Sequence, residues 1–532
     1  MRRRGAALPL LAAVVVLLVL GTVAAIAFNR LGRLRPERGG RLNEALVVDG
    51  PLVVVPAFAE TPNSRDLSGL LYRGLTRTGP DGKPVGELAR NWTVDPAART
   101  FTFRLRPGLR WSDGAPITSA DAVYSLSVLQ SDADARSPSG QAWGGVTASA
   151  PDPLTITYTL PQSSPAFLAL TSIGLLPQHA LQPRPLTTLR TTTDAPTSGP
   201  FMVTVAAHDH VLLTRNRHAF EPAYLDELDL HLYDTRATAV QALLTGDVDL
   251  YAGLTPADAR RVEAAVNRRV VRGSTFAYVE MLLNQKVEAL GDEHLRKAIG
   301  LAVDRDAAVK VALKGYATLD DTPIPPAVRW AVLPGRQPAL DRVASGRELD
   351  AAGWTLHAGA RSKDGKTLKL KLITPAGEPY SAVATGIERD LGAVGIAVTT
   401  QAFGPEALLT HLQGHQFDIA LTALDNGPDP DVYVFWHSSQ AGPGGFNFSG
   451  MTANPALDKD LEDGRATADY SRRRNAYIDA QRQVLGAHAA VFLYTPEALL
   501  GVRDVVGGAV LPAGGQRYDL AQNWFVNSAR GL

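Results

Sequence analysis

The sequence predicts an α/β fold, in which strands and helices alternate along a large soluble protein. Residues 101–105 alternate apolar and polar side chains, which is the period of a half-buried strand. Residues 292–303 instead place apolar side chains three and four positions apart, which predicts a helix with one buried face. A hydrophobic fraction of 45% and a charged fraction of 20% are typical of globular chains. The two periods together favour the α/β class.

The N-terminus begins with Arg2–Arg4 and continues as an almost unbroken apolar run from Ala6 to Phe28. A run of this length can cross a bilayer as a helix. Ala25–Ala27 also fits a small-x-small cleavage site, so residues 1–28 are either a signal anchor or a signal peptide. We favour the anchor because the run is long for a signal core, and we expect residues 29–41 to be a linker. With either interpretation the bulk of the chain is exported.

The composition excludes several kinds of partner and attachment for the exported part. The chain has no cysteine, which excludes disulfides, thiolate metal sites and a lipid attached to an N-terminal cysteine. The protein is therefore not a lipoprotein, and its expected contact with the cell membrane is the apolar N-terminal segment. The 53 Lys and Arg residues balance the 53 Asp and Glu residues, so the charge indicates no nucleic-acid partner.

The region after the linker contains a compact series of local signals. Turns at Pro107-Gly108 and Asp113-Gly114 follow the strand at 101–105 and flank residues 109–111, which are predicted to form a second short strand. Thr118 lies three residues before Asp121, a capping box that predicts the start of a helix. The local prediction is strand, turn, strand and capped helix.

The same alternation continues to the C-terminus without an internal repeat. Residues 198–205 and 211–217 are predicted to form a hairpin that turns at His208 and Asp209. A short helix is predicted to end at Gly246, and Asp304 is predicted to cap another. Residues 368–372 alternate as a strand, and Thr467-Ala-Asp469 begins a late helix.

Several of these segments are similar, in order, to a known family. Residues 85–126, with the wording VGELARNWTV, TFTFRLRPGLRWSDG and TSADAVYSL, resemble the signature of the family 5 extracellular solute-binding proteins, the peptide-binding components of ABC importers. The segment HLRKAIGLAVDR at 294–305 is similar to another family motif. The resemblance extends from about Leu67 to Trp524, nearly the whole exported part.

The resemblance implies the type II periplasmic-binding-protein fold, with two lobes joined by a hinge and an extra subdomain in the first lobe. We expect the first lobe to comprise residues 42–66, 195–283 and 500–532. The extra subdomain would span residues 67–194 and the second lobe residues 284–499. The resemblance also implies a monomeric receptor that hands its ligand to the permease subunits of an ABC transporter.

No catalytic motif indicates an enzyme. The sequence lacks a Gly-x-Ser-x-Gly elbow, the full phosphate loop Gly-x4-Gly-Lys-Ser/Thr, Gly-x-Gly-x-x-Gly and His-Glu-x-x-His. His208 and His210 could share a metal, but we interpret them as solvated turn residues because no third ligand type clusters nearby. We therefore expect no catalytic residues, no cofactor and no metal.

The segment with the clearest ligand chemistry follows an apolar strand at 417–424. Asp425-Asn-Gly-Pro428 ends this strand, at the edge where α/β sheets gather their ligands. The same four residue types favour a turn in any protein, whether or not a ligand binds there. Dipeptide-binding relatives have a similar GDNGDPDNF segment, in which the first Asp pairs with the peptide's α-ammonium. The resemblance places that role on Asp425.

Other contacts follow from the same comparison of segments. Asn426 and Gly427 match directly, whereas Pro428 is an extra residue that shifts the following loop, so Asp429 or Asp431 is an alternative partner of the ammonium. The backbone of Ala423 and Leu424 could pair with an extended peptide. Trp436 is a candidate pocket wall, although an aromatic residue after a turn can equally be core.

We therefore predict an exported receptor that binds peptides and delivers them to an ABC permease. One alternative keeps the fold with a different solute, such as a nickel chelate, haem or an oligosaccharide. Another is a membrane-tethered scaffold or sensor that no longer transports.

Overall fold

The computed structural model describes residues 36–48, 50, 52–131, 138–452, 454–514 and 517–527. The predicted signal anchor at residues 1–28 lies outside these residues. Within them, no helix combines the length and the apolar character needed to cross a membrane.

The strands, numbered in chain order, are β1 (Arg41–Val47), β2 (Thr76–Thr78), β3 (Pro84–Gly86), β4 (Ala89–Val94), β5 (Thr100–Leu105), β6 (Thr147–Asp152), β7 (Thr155–Thr159), β8 (Phe201–Ala206), β9 (His210–Arg215), β10 (Glu227–Tyr233), β11 (Leu250–Ala252), β12 (Arg268–Ser274), β13 (Ala277–Leu283), β14 (Ala317–Leu319), β15 (Thr355–His357), β16 (Ala360–Lys363), β17 (Lys366–Thr367), β18 (Lys369–Pro375), β19 (Ala397–Phe403), β20 (Ile419–Asp425), β21 (Ala490–Arg503), β22 (Val506–Gly507) and β23 (Phe525–Val526).

The α-helices are α1 (Pro62–Leu71), α2 (Ser119–Leu129), α3 (Pro138–Ala142), α4 (Phe167–Leu170), α5 (Gln178–Leu181), α6 (Leu186–Leu189), α7 (Arg236–Thr245), α8 (Pro256–Glu263), α9 (Glu293–Ala302), α10 (Arg305–Ala307), α11 (Arg342–Ala351), α12 (Tyr380–Gly392), α13 (Pro405–Gln413), α14 (Tyr433–Trp436), α15 (Pro455–Arg465) and α16 (Tyr470–Gly486). A π-helical turn, Ala308–Ala312, follows α10.

One long sheet organises the molecule, with strand order β19-β18-β20-β13-β21-β11-β1-β10-β9-β8. Its 14-residue strand β21 belongs to both halves. Residues 490–494 of β21 pair with β13, whereas residues 500–502 pair with β11. The chain therefore crosses from one lobe to the other within a single strand. The consecutive strands β12 and β13 accompany it, because β12 pairs with residues 497–503 and β13 with residues 490–494.

Both faces of the sheet are covered in the lobe that contains β18, β20 and β13. Successive residues of β13 point to opposite faces, as in any strand. Val279 and Met281 join one buried cluster, and Tyr278 and Leu282 join another. Burial on both faces leaves the strand ends and the sheet edges as the places where a ligand can reach the backbone.

A separate antiparallel sheet, β4-β5-β7-β6, forms the core of residues 89–170, here called the smaller unit. Phe101 and Phe103 of β5 are fully buried there, and the Phe101 ring lies 5.0 Å from that of Phe167. The alternation of apolar side chains in β5 thus fixes which face of this sheet is covered.

Most predicted elements are confirmed. The Thr118 N–H donates to Asp121 Oδ2 (2.8 Å), which completes the capping box at the start of α2. The hairpin forms from β8 and β9. Helix α7 ends at Gly246, whose φ of +94° is the left-handed conformation that favours glycine. Asp304 Oδ1 accepts from the Ala307 N–H (2.9 Å) and caps α10 as predicted.

The predicted second strand at residues 109–111 is wrong. Only an isolated bridge between Arg110 and Pro116 forms there. The two turns that flank these residues leave too short a segment for a ladder, and the Trp111 N–H instead bonds to the Ala115 carbonyl (2.8 Å). Trp111 is nevertheless fully buried, so this apolar residue packs in the core without belonging to a strand.

Candidate functional site

Strand β20 ends at an edge that is only partly covered. It is antiparallel to β13 along its whole length, from Leu283 opposite Ile419 to Ala277 opposite Asp425. On its other side it pairs with β18 only at Ile419 and Ala420. From Leu421 onward, that second edge has no strand partner among the described residues.

The predicted contact residues lie on this uncovered stretch. Ala423 and Asp425 are exposed and Leu424 is partly buried. Backbone N–H and C=O groups along such an edge can pair with an extended chain. The sequence prediction thus falls on the part of β20 where an added strand has room.

The turn after β20 is held by its own side chains. The Gly427 N–H donates to Asp425 Oδ1 (2.9 Å), and Gly427 adopts a φ of +66°. The Asn426 amide donates to the carbonyl oxygens of Asp429 (2.9 Å) and Asp431 (3.1 Å). Asn426 therefore shapes the loop, while the Asp425 carboxylate stays exposed at its tip.

The aspartates of this loop differ in their partners. Asp429 Oδ1 lies 2.7 Å from Arg473 Nη2, and Asp431 Oδ2 lies 2.6 Å from Arg465 Nε. Burial raises the pKa of Asp431, and the charge of Arg465 opposes that shift. Asp425, in contrast, forms no ion pair with any described residue.

Trp436 occupies the core beneath the loop. Its side chain is 1% exposed and lies in the cluster that contains Tyr278, with its ring 6.1 Å from that of Phe492. In this conformation the indole supports the loop from below rather than lining an open surface.

A second candidate region is a cavity of about 660 Å³ whose walls come from both halves of the long sheet. The half of the molecule that contains β1 and β8–β12 contributes the start of α8 and Arg236. The half that contains β13 and β18–β20 contributes residues 303–314, including the π-helical turn, and residues 378–390 at the start and along α12. None of the six predicted site residues lines it.

Sequence reasoning missed this cavity because its walls come from five separate segments. The one local signal is a row of small residues on α12, Ala382 and Gly386, which are four positions apart on one helix face. Ala308 and Ala312 repeat that spacing on the facing π-helical turn.

Hydrogen bonds join separate parts of the chain near both candidate regions. Beside the cavity, the Tyr316 hydroxyl donates to Glu263 (2.6 Å) and Arg272 donates to the Gly315 carbonyl (2.6 Å). Near the β20 loop, the Ser163 hydroxyl of the smaller unit donates to the Arg465 carbonyl (2.9 Å). Both candidate regions are therefore enclosed by more than one part of the chain.

Known proteins are similar to this chain in sequence and in fold. Protein XP55 of Streptomyces lividans is 30% identical over 452 residues, which cover 82% of this chain and 80% of XP55. The oligopeptide-binding protein AppA of Bacillus subtilis is 24% identical over 98% of this chain and 99% of its own. The nickel-binding periplasmic protein of Escherichia coli is 24% identical over 79% of this chain and 82% of its own.

The solved structure of AppA with a nonapeptide superposes with a TM-score of 0.69, at 22% identity, over 93% of this chain and 100% of AppA. That likeness confirms the predicted α/β, two-lobed fold. The sequence profile described as bacterial extracellular solute-binding proteins, family 5 (middle) matches residues 83–445. The chain belongs to the family 5 bacterial extracellular solute-binding proteins.

Proposed function

We propose that this protein is the receptor of an ABC importer and that it binds peptides between its lobes, with the peptide's α-ammonium on Asp425. The observation that carries the proposal is an exposed carboxylate, without a cationic partner in the described chain, at the end of a strand with an uncovered edge. Asp429 and Asp431 already pair with arginines, which favours Asp425 over them.

Electrostatics explains why an amine would be selected. A carboxylate enclosed with an ammonium forms a charge-assisted hydrogen bond stronger than an exposed ion pair. Closure over a ligand without an amine would leave Asp425 desolvated and unpaired, which is costly. The Gly427 N–H already satisfies one carboxylate oxygen and holds the group in place, so the other oxygen is available to the ligand.

The peptide backbone would extend β20. A chain lying beside residues 421–425 would continue the sheet on the side from which β18 has diverged. Backbone pairing with Ala423 and Leu424 gives affinity that depends little on side chains. This mode suits a receptor for peptides of varied sequence.

We retain the division into lobes as part of the proposal. Residues 42–66, 195–283 and 500–532 would form the first lobe, residues 67–194 its extra subdomain, and residues 284–499 the second lobe. β21 and β13 would then be the strands about which the lobes rotate.

We also propose that residues 1–28 hold the protein at the outer face of the cytoplasmic membrane. The support is the length of the apolar run and the absence of a cysteine for lipid attachment. N-terminal sequencing of the native protein tests it, since a mature chain that begins at Phe28 would contradict the anchor.

A binding screen on the protein without residues 1–28 tests the ligand class. Thermal shift against free-amine peptides, N-acetylated peptides, Ni²⁺, haem and oligosaccharides should show stabilisation by free-amine peptides above all others. The similarity to a nickel-binding protein makes a nickel chelate the second candidate. Stabilisation by Ni²⁺ or a nickel chelate, with none by peptides, would favour that candidate and contradict ours.

A further inference from the structure

The cavity between the lobes has a predominantly apolar lining of small side chains. Its walls include Pro256, Ala257, Ala308, Val311, Ala382 and Ile387. Several of these side chains are solvent-exposed, Val311 at 71%. A volume of about 660 Å³ is within the range of about 300–1,000 Å³ that ligand pockets occupy.

A glycine of α12 leaves part of the cavity open. A Cβ added at Gly386 would meet no atom within 4 Å, although this glycine lies in a helix and lines the cavity. Glycine within a helix is less favourable than alanine because more backbone freedom is lost on folding. The sequence thus keeps space at this position against local helix preference.

The charged groups around the cavity are largely compensated by the protein itself. Arg236 lies 3.2 Å from Asp258, and Asp390 lies 3.1 Å from Arg389 and 3.3 Å from Arg342. Glu378 accepts a hydrogen bond from the Ser381 hydroxyl. Because these charges have partners, what the cavity offers a ligand is mainly apolar surface.

The cavity also borders the path of the proposed peptide. β18 is the strand from which β20 diverges after Ala420, and the cavity wall begins three residues beyond the end of β18, at Glu378 and Pro379. A peptide in the space between the diverging strands would therefore have the mouth of the cavity at its flank.

We infer that this cavity receives an apolar side chain of the bound peptide and sets a preference for large aliphatic residues. The inference rests on the proposed peptide-binding function and adds a side-chain preference to it. Burial of a leucine side chain in place of alanine removes more apolar surface from water, which strengthens binding.

Calorimetry with trialanine and trileucine tests the inference on the native protein and on Gly386→Trp, which fills the cavity from α12. The native protein should bind trileucine on the order of tenfold more tightly or better. Gly386→Trp should remove that preference and change trialanine affinity by less than about threefold. Gly386→Leu, which fills less space, should give an intermediate result.

Gly392→Trp is the matched control, because Gly392 lies on the same helix, meets no atom within 4 Å of an added Cβ and does not line the cavity. It should keep the native preference. Equal binding of both peptides by the native protein, or a preference that survives Gly386→Trp, would overturn the cavity's role alone. Binding of neither peptide by the native protein would overturn the proposed function and this inference with it.

Discussion

Two aspartates in the loop that follows β20 have carboxylates in different environments. At the end of β20, the Asp425 carboxylate is exposed and its only described partner is the Gly427 N–H. Four residues later, Asp429 is paired with Arg473, a side chain that is only 4% exposed. A carboxylate whose charge is already compensated can stabilise the fold but has little left for a ligand. The difference separates a structural aspartate from the aspartate that we propose binds the ligand, within a segment of five residues.

The largest expected effect lies on the structural side of this comparison. Arg473→Ala should destabilise the protein by about 3–5 kcal/mol, because it leaves Asp429 partly buried without its cation. Asp425→Asn should change the free energy of unfolding by less than about 0.5 kcal/mol, as expected for an exposed site. Chemical denaturation of both variants measures the contrast. Similar losses in the two variants would remove the distinction between the aspartates.

A third kind of acid sharpens the comparison, one that is buried and has no cationic partner in the described part of the chain. Glu280 is 1% exposed, receives a hydrogen bond from the Thr422 hydroxyl (3.3 Å) and faces the titratable groups Tyr278 and Asp320. Burial raises its pKa from 4.5 to about 8, with the nearby Asp320 adding to the shift. The folded state therefore holds a proton that the unfolded state releases, and the associated stability is lost as pH rises from about 4.5 to about 8.

Glu280→Gln should therefore be more stable than the native protein at pH 8.5, by on the order of 2 kcal/mol, and similar to it at pH 5. Denaturation at a series of pH values checks this. Glu44→Gln is the comparison variant. Burial also raises the pKa of Glu44, to about 7, but Arg517 lies 3.3 Å away and opposes that shift, so the gain in stability at pH 8.5 should be smaller than for Glu280→Gln. An unchanged pH slope in Glu280→Gln would mean that Glu280 does not carry the proton.

A smaller effect concerns the relative position of the lobes. Ligand contacts that require both lobes should shift the population toward a closed form. Small-angle scattering should then show a lower radius of gyration with saturating peptide than without it. A demonstrated binding event with an unchanged scattering curve would contradict rotation about β21 and β13.

The features that sequence predicted well are those that depend on neighbours in the chain. The capping box at Thr118 and Asp121 needs only four residues, and the position of Asp425 at a strand end follows from the apolar run before it. The prediction of a strand at Leu109–Trp111 was wrong because apolar residues between two turns can enter a core without forming a ladder.

The interlobe cavity was beyond prediction for a different reason. Gly386 and Ala382 look like ordinary helix residues until the start of α8 and the π-helical turn are placed opposite them. The arginine partners of Asp429 and Asp431 lie 44 and 34 residues further along the chain, so the sequence left these aspartates open as alternatives to Asp425. Only the fold brings those side chains together.

The most direct measurement of the central claim is a double-mutant cycle at Asp425. Calorimetry would compare the native protein and Asp425→Asn, each with trialanine and with N-acetyl-trialanine, so that only the coupling term reports contact between carboxylate and ammonium. Asp364→Asn serves as the control, because Asp364 is an exposed residue in the turn between β16 and β17. This variant should leave both affinities unchanged. We expect Asp425→Asn to weaken trialanine by a few kcal/mol, about 2–5, and to cost the acetylated peptide little. Equal losses for the two peptides would show that Asp425 only shapes the turn, and the assignment of the ammonium site would be wrong.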